Sequence, residues 1–299
     1  MKDIKTFKDI LEVADKKELK LFQVFQKKEA IKLEITEDKL RSKVKYNLDT
    51  MKDTIKKGLN TNDLSESKLS GDSCDKLQKV FANNRVKIFS KIQEKALIYA
   101  LATSEQNARM GKIVACPTAG ACGIVPACII SLSEELGIDE ENQINALITS
   151  GMVGKIISNK LALAGAVMGC QGECGTASAM AAAAIVELLN GNNQQIIEAS
   201  ILTLKNILGL VCDPVAGLVE VPCVKRNAFL AINAFTGAQL ALANIKSIIP
   251  PDEVIDAMKQ IGELMSPTLK ESSEGGLSVT KTALEIKKNL NIKWQQDNF

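Results

Sequence analysis

Histidine is absent from all 299 residues of this chain, and aromatic side chains make up only 4% of it, with a single tryptophan. General acid–base catalysis near neutral pH usually falls to imidazole, and common zinc sites mix cysteine with histidine, so both routes lose their usual residue. The scarcity of aromatics leaves a 46% hydrophobic composition to Ala, Ile, Leu, Val and Met. Small aliphatic filling favours closely packed helices over a strand-rich sandwich. Net charge is small as well. With 37 basic and 35 acidic residues the balance is +2, which gives no electrostatic case for a nucleic-acid or anionic-membrane partner. The first 60 residues carry 16 Lys+Arg against 11 Asp+Glu, interleaved as on a solvated helical surface. Long apolar runs are missing too: Ala121–Leu132 is too short to span a bilayer, and Ala177–Leu189 is interrupted by Glu187. The charged, amphipathic N-terminus has no apolar core of a signal peptide. The expected location is cytoplasmic, where the eight cysteines would be free, buried or metal-bound, not disulfide-paired.

What is present reads as a mainly α protein, with at most short strands. Helix-type spacing runs from Thr6 to about Gly58, and this 1–60 segment is expected to pack on a main helical catalytic domain, 61–299. The polar stretch Leu59–Cys74 reads as a long loop of the kind that is often functional or mobile. Beyond it, helical spacing recurs at Lys91–Met110, Gly123–Leu136, Asn142–Asn159, Ser178–Leu189, Gln194–Leu208, Arg226–Ile248, Pro251–Met265 and Leu277–Leu290. Pro251-Asp252-Glu253 is a well-formed helix start. The best strand candidates are Lys112–Cys116 and Leu218–Val221, and no internal repeat suggests a solenoid.

Four segments carry chemistry. Gly165–Gly175 holds Cys170, Glu173 and Cys174 among four glycines, which permit close backbone approach to a bulky group. The small-residue run after it suits a helix starting beside a cofactor, its N-terminus favouring an anionic cluster or carboxylate. Cys212–Cys223 brackets a turn stiffened by Pro214 and Pro222, a rigid frame for ligands. Three thiolates without histidine suit an iron–sulfur cluster, with zinc as the alternative metal. Gaps of 42 and 11 residues between Cys170, Cys212 and Cys223 mean that only tertiary structure can bring them together. Cys116–Gly123 resembles an anion-cradling loop at a helix head but lacks the Lys-Ser/Thr ending of a P-loop, so nucleotide binding is not expected. Lys270–Leu277 offers a charged group and loop amides to a small substrate, or simply turns the chain. The other five cysteines read as packing residues.

PTAGACGIVPA from Pro117, GCQGECGTASAMAAAA from Gly169, LGLVCDPVAGLVEVPCVKRNA from Leu208 and SSEGGL from Ser272 together resemble the alpha subunit of iron–sulfur-dependent L-serine dehydratase, over essentially the whole chain. The resemblance implies a 4Fe-4S cluster on Cys170, Cys212 and Cys223, whose open iron helps the serine hydroxyl leave after α-proton removal, giving pyruvate and ammonia. It also implies a beta-subunit partner, because the Ser-Ser-Ser-His-Thr segment of family beta regions is absent here. Substrate contacts are expected at Thr118, Gly120, Ser70 and Gly71, although Leu69-Ser70-Gly71-Asp72 departs from the family's Leu-Thr/Ser-Gly-Gly-Asp. Glu173 and Lys270 are the candidate bases. Pyridoxal phosphate is not expected, since that route needs a Schiff-base lysine and the lysines here lie mostly in charged, surface-type segments. Two alternatives stay open: a cluster-dependent lyase acting on L-cysteine, and a non-catalytic iron–sulfur sensor or scaffold subunit.

Overall fold

A computed structural model describes residues 4–83 and 88–297, with side chains up to residue 290 at the C-terminal end. Thirteen α-helices account for most of it: α1 (Phe7–Lys17), α2 (Leu21–Lys32), α3 (Glu37–Leu59), α4 (Ser73–Ala82), α5 (Lys91–Ala108), α6 (Ile124–Leu136), α7 (Glu140–Ser158), α8 (Gly165–Met168), α9 (Thr176–Leu188), α10 (Asn193–Lys205), α11 (Cys223–Leu242), α12 (Pro251–Leu264) and α13 (Lys281–Asp297). Short 3-10 turns occur at Val215–Gly217, Pro267–Leu269 and Gly276–Val279. No helix of the described residues is long and apolar enough to cross a membrane.

The centre of the fold is α9. Every one of its residues is buried, so it has no polar face to give to water and must be enclosed by α6, α7, α10 and α11. Alanine at 177, 179 and 181–184 lets those neighbours approach closely without side-chain ordering cost. A further layer forms where α3 and α11 flank α5, and α1–α3 lie on α5, α7, α10 and α12. Ile4, Phe7 and Leu21 belong to the same buried cluster as Ile129, Ile157 and Ile197.

Local rules explain most helix ends. Thr6, Thr36, Ser90, Asp139 and Asn192 each accept a backbone N–H of their own first turn. The Asp139 cap places the start of α7 slightly before the periodic pattern suggests. Pro251 opens α12, with Asp252 and Glu253 in the first turn, and Asp252 also accepts the N–H groups of Phe7 and Lys8 at 3.1 Å each. The Thr6–Gly58 pattern divides into three helices, with left-handed Glu18 and Glu34 at the breaks.

Some sequence expectations are corrected. Neither Lys112–Cys116 nor Leu218–Val221 forms a strand; no parallel or antiparallel neighbour is available, and the only β-pairing among the described residues is an isolated bridge between Cys212 and Lys270. The helical reading of Arg226–Ile248 is too long at its end, because α11 stops at Leu242 and Asn244 turns left-handed. Helix α4 lies in a stretch without an obvious start signal. Its first amides, of Ser73 and Cys74, are accepted by the carboxylate of Glu105, 32 and 31 residues away, a cap that local sequence does not reveal.

Gly58 is where α3 rests on the backbone of α5: a Cβ there would meet the Ala102 carbonyl oxygen at 2.4 Å. Glycine-to-alanine changes in a helix ordinarily stabilise. Here the sign reverses, and Gly58→Ala is expected to cost about 1–3 kcal/mol by overpacking, read as a lower melting temperature. An unchanged or raised melting temperature would show that α3 and α5 are not in backbone contact.

Candidate metal and active site

The site is assembled where three separated segments converge at the N-terminal end of α9. After α8 the chain turns at Gly169 (φ +69°) and passes Cys170 into one π-type turn, Gln171–Gly175, which runs directly into α9. Gln171 stitches this turn in place. Its side chain donates to the Met258 carbonyl at 3.0 Å and accepts from Gly209 N–H at 2.9 Å, while its own N–H donates to Leu210.

Cys212 sits on the second segment, tied to the third through backbone. Its N–H donates to Leu269 at 2.9 Å and its carbonyl accepts from Glu271 at 2.7 Å. Asp213, 4% exposed, accepts the Leu277 N–H at 2.9 Å and pairs with Arg226 at 3.4 Å. Arg226 also donates to the Val211 carbonyl at 3.0 Å. The segment ends at Cys223, which heads α11. Asn227, one turn further on, donates to the carbonyls of Cys223 and Gly120 and accepts from Gly123 N–H, so it locks Cys116–Gly123 to the cysteine-bearing helix.

Ligand atoms of Cys170, Cys212 and Glu173 all lie within 4.8 Å of one another. Cys223 stands outside that group but feels it: burial first, then the neighbouring Cys170 and Glu173, push its thiol up to about 12. Cys170 moves the opposite way. Hydrogen bonds from the Cys174 and Cys212 thiols, aided by the Arg226 guanidinium, bring it down to about 3, so it is the ionised member while Cys174 and Cys212 are held protonated. Away from the site, burial pushes Cys74 and Cys122 up to about 12, and the Cys128 thiol, likewise raised by burial, donates to the Ala231 carbonyl. All eight cysteines are unpaired. A single thiolate beside a guanidinium, set against protonated buried thiols, is the kind of contrast that separates reactive or ligating cysteines from packing ones.

Glu173 is half-buried beside these sulfurs. Desolvation raises its carboxyl to about 7, partly offset by the hydroxyl of Thr118, which donates to its Oε1. Glycines leave room around it. A Cβ on Gly120 would come within 2.7 Å of Glu173 Oε1, and one on Gly165 within 3.0 Å of Cys212 Sγ and 3.3 Å of Glu173 Oε2. Glycine at 120 and 165 is therefore what lets the backbone lie this close to the Glu173 carboxylate and the Cys212 sulfur.

Of the residues singled out in the sequence, Cys170, Cys212, Glu173, Thr118 and Gly120 meet at this centre. In the loop Cys116–Gly123 the N–H groups of Cys116, Cys122 and Gly123 are taken by Thr118, Ala119 and Asn227. Lys270 lies half-buried beside Cys212 through the backbone bridge. Ser70 is 3% exposed with its hydroxyl on Glu220, and Gly71 (φ +127°) lies against Asp63 and Leu64, with its carbonyl held by Arg109. Sequence reasoning passed over Arg226, Asn227, Glu220 and Glu271, although all four lie in or beside the quoted motifs. Arg226 and Asn227 follow Cys223 by three and four residues, the spacing that places side chains on one helix face, which was the available signal.

The chain is similar to several known proteins. The chain is 41% identical over 286 residues to the L-serine dehydratase alpha chain of Peptoniphilus asaccharolyticus, covering 96% of this chain and 98% of that one. It is 48% identical over 226 residues to the probable L-serine dehydratase alpha chain of Bacillus subtilis, 76% of this chain and 75% of that one. The L-serine dehydratase of Streptomyces coelicolor is 38% identical over 212 residues, 68% of this chain but only 47% of that protein. The family profile for the serine dehydratase alpha chain matches residues 16–278, and with its thiol centre framed by those matched residues, the chain belongs to the serine dehydratase alpha-chain family.

Proposed function

We propose that this chain is the catalytic alpha subunit of a carbon–oxygen lyase that converts L-serine to pyruvate and ammonia, with a 4Fe-4S cluster held by Cys170, Cys212 and Cys223. The observation that carries the reading is the convergence of Cys170, Cys212 and Glu173 within 4.8 Å in a chain similar to proteins named for L-serine dehydration. The donor set suits such a cluster: soft sulfur ligands, one already a thiolate, an adjoining guanidinium and no competing imidazole. When bound, the cluster would supply Lewis acidity toward the departing hydroxyl, a poor leaving group on its own.

The chain's own residues account for the remaining work. Glu173 lies against Gly120 and Gly165 with Oε1 oriented by Thr118, and in this reading it takes the α-proton. Loss of that proton and of the hydroxyl leaves aminoacrylate and water; tautomerisation and hydrolysis then give pyruvate and ammonium. Arg226 offsets thiolate charge and fixes the backbone at Val211 and Asp213. Lys270 is the less favoured base, because its recorded tie to the centre is the backbone bridge to Cys212.

A beta chain is the proposed partner. The relatives named alpha chain imply a second chain, the Streptomyces protein is more than twice as long as the matched region, and this chain supplies no histidine for proton transfer. The reducing cytoplasm is the proposed location, consistent with eight free thiols.

Anaerobic reconstitution is expected to yield a brown protein with about four irons per chain. Alanine at Cys170, Cys212 or Cys223 should abolish colour and iron uptake, while Cys128→Ala and Cys174→Ala retain both; a wild-type chain that stays colourless and iron-free would remove the cluster from the proposal. With the beta chain present, L-serine should release pyruvate, and with either chain alone it should not. Glu173→Gln is expected to lower kcat about 10²–10⁴-fold with iron content intact, the range for loss of a general base, whereas Lys270→Met should have a much smaller effect. The reverse ranking would move the base to Lys270. Sulfide release from L-cysteine exceeding pyruvate release from L-serine would change the assigned substrate.

A further inference from the structure

Glu220 lies outside the thiol centre and is not used by the chemistry proposed for it, yet it is bonded unusually. It is 7% exposed and, among the described residues, has no ion-pair partner. Its carboxylate instead accepts three hydroxyls, from Ser65 at 2.6 Å, Ser67 at 2.8 Å and Ser70 at 2.5 Å. Those serines belong to one closed loop. Ser65 N–H donates to the Ser70 carbonyl at 2.8 Å, Lys68 N–H to Ser65 at 2.9 Å, and Leu69 N–H to Ser67 Oγ at 3.1 Å. Arg109 holds the loop's outer ends through the carbonyls of Asp63 and Gly71.

On the other side, Glu220 belongs to the turn that delivers site residues. Its N–H donates to Leu218 at 2.7 Å, and its carbonyl accepts from Val224 at 3.0 Å in the first turn of α11, the helix headed by Cys223. The preceding residue, Val219, reaches the site, its Cγ1 3.1 Å from where a Gly120 Cβ would stand beside Glu173. One residue thus separates a side chain lining the site from a carboxylate fastened to the serine loop.

We infer that Glu220 is a positioning residue: by latching onto Ser65, Ser67 and Ser70 it fixes the 218–223 turn, and with it Val219 and the Cys223 thiol. The functional consequence rests on the cluster reading above; the mechanical one does not. A carboxylate buried on three hydroxyls is strongly bound as a set and strongly destabilising when only one side is removed. The loop and the turn are therefore expected to loosen together.

The test compares the full chain as wild type, Glu220→Ala, Glu220→Gln and the triple variant Ser65→Ala/Ser67→Ala/Ser70→Ala. In the iron-free chain, tryptic cleavage after exposed Lys68 reports the loop, and iodoacetamide labelling of Cys223, read by mass spectrometry, reports the turn. Labelling of Cys128 serves as the folding control. In the reconstituted chain, the rate of iron loss to a ferrous chelator reports cluster retention. Glu220→Ala and the triple variant should each raise Lys68 cleavage, Cys223 labelling and iron loss about tenfold or more, from loss of several charge-assisted hydrogen bonds. Glu220→Gln should return all three to within about threefold of wild type, because an amide both accepts from and donates to hydroxyls. Faster Lys68 cleavage with wild-type Cys223 labelling overturns the inference, as does wild-type behaviour throughout. If Cys128 also becomes reactive in Glu220→Ala, that variant is unfolded and the triple and glutamine variants decide. A wild-type chain that takes up no iron would defeat the cluster reading alone, leaving Cys223 labelling to decide the latch.

Discussion

The complete burial of α9 is the constraint on which the architecture depends. A thirteen-residue helix with no exposed side chain can be stable only if other helices cover it on all sides, and its run of alanines permits those helices to come close. That enclosure fixes the direction from which the chain enters α9. Glu173 lies in the π-type turn at that entry and Cys170 immediately before it, so the same packing that buries the alanines sets this thiol and the acidic group in a wall of the core.

Around this fixed point the other two segments are held by polar ties. Asn227 joins the Cys116–Gly123 loop to α11, Arg226 grips Val211 and Asp213, and a pair of backbone hydrogen bonds sets Cys212 against residues 269–271. Each tie satisfies a buried polar group that would otherwise be costly. Cys212 and Cys223 thus lie in a loop stiffened at several points, and of the thiols gathered there Cys170 alone differs in protonation from the other buried cysteines. Cys170 is ionised because sulfur donors and a guanidinium surround it; Cys128 is not, because its surroundings are a helix interior.

The surroundings of Glu173 are kept free of side chains at two positions. Gly120 and Gly165 flank Glu173 so closely that a methyl group on either would contact the carboxylate. Burial lifts the Glu173 carboxyl toward neutrality, in a chain that has no histidine. Glu220 and its three serines belong to the same logic one residue further out, since a rigid turn is what keeps widely spaced thiols in one place.

Much of this was legible in the sequence. The shortage of aromatics and abundance of small aliphatics determined a helical core, local signals such as Pro251-Asp252-Glu253 determined where some helices begin, and the glycine- and proline-framed cysteines marked the segments that matter. Short-range rules cover such features because their partners lie within one helical turn. What only the tertiary structure decided lies at long separation: the cap on α4 from Glu105, the failure of two apolar stretches to become strands without a pairing neighbour, the meeting of Cys170 with Cys212, and the commitment of Ser70 to Glu220, 150 residues away. Sequence spacing carries no information about which distant loops will share a carboxylate or a sulfur. That is settled by which helices must surround α9, and by which buried polar groups find partners once they do.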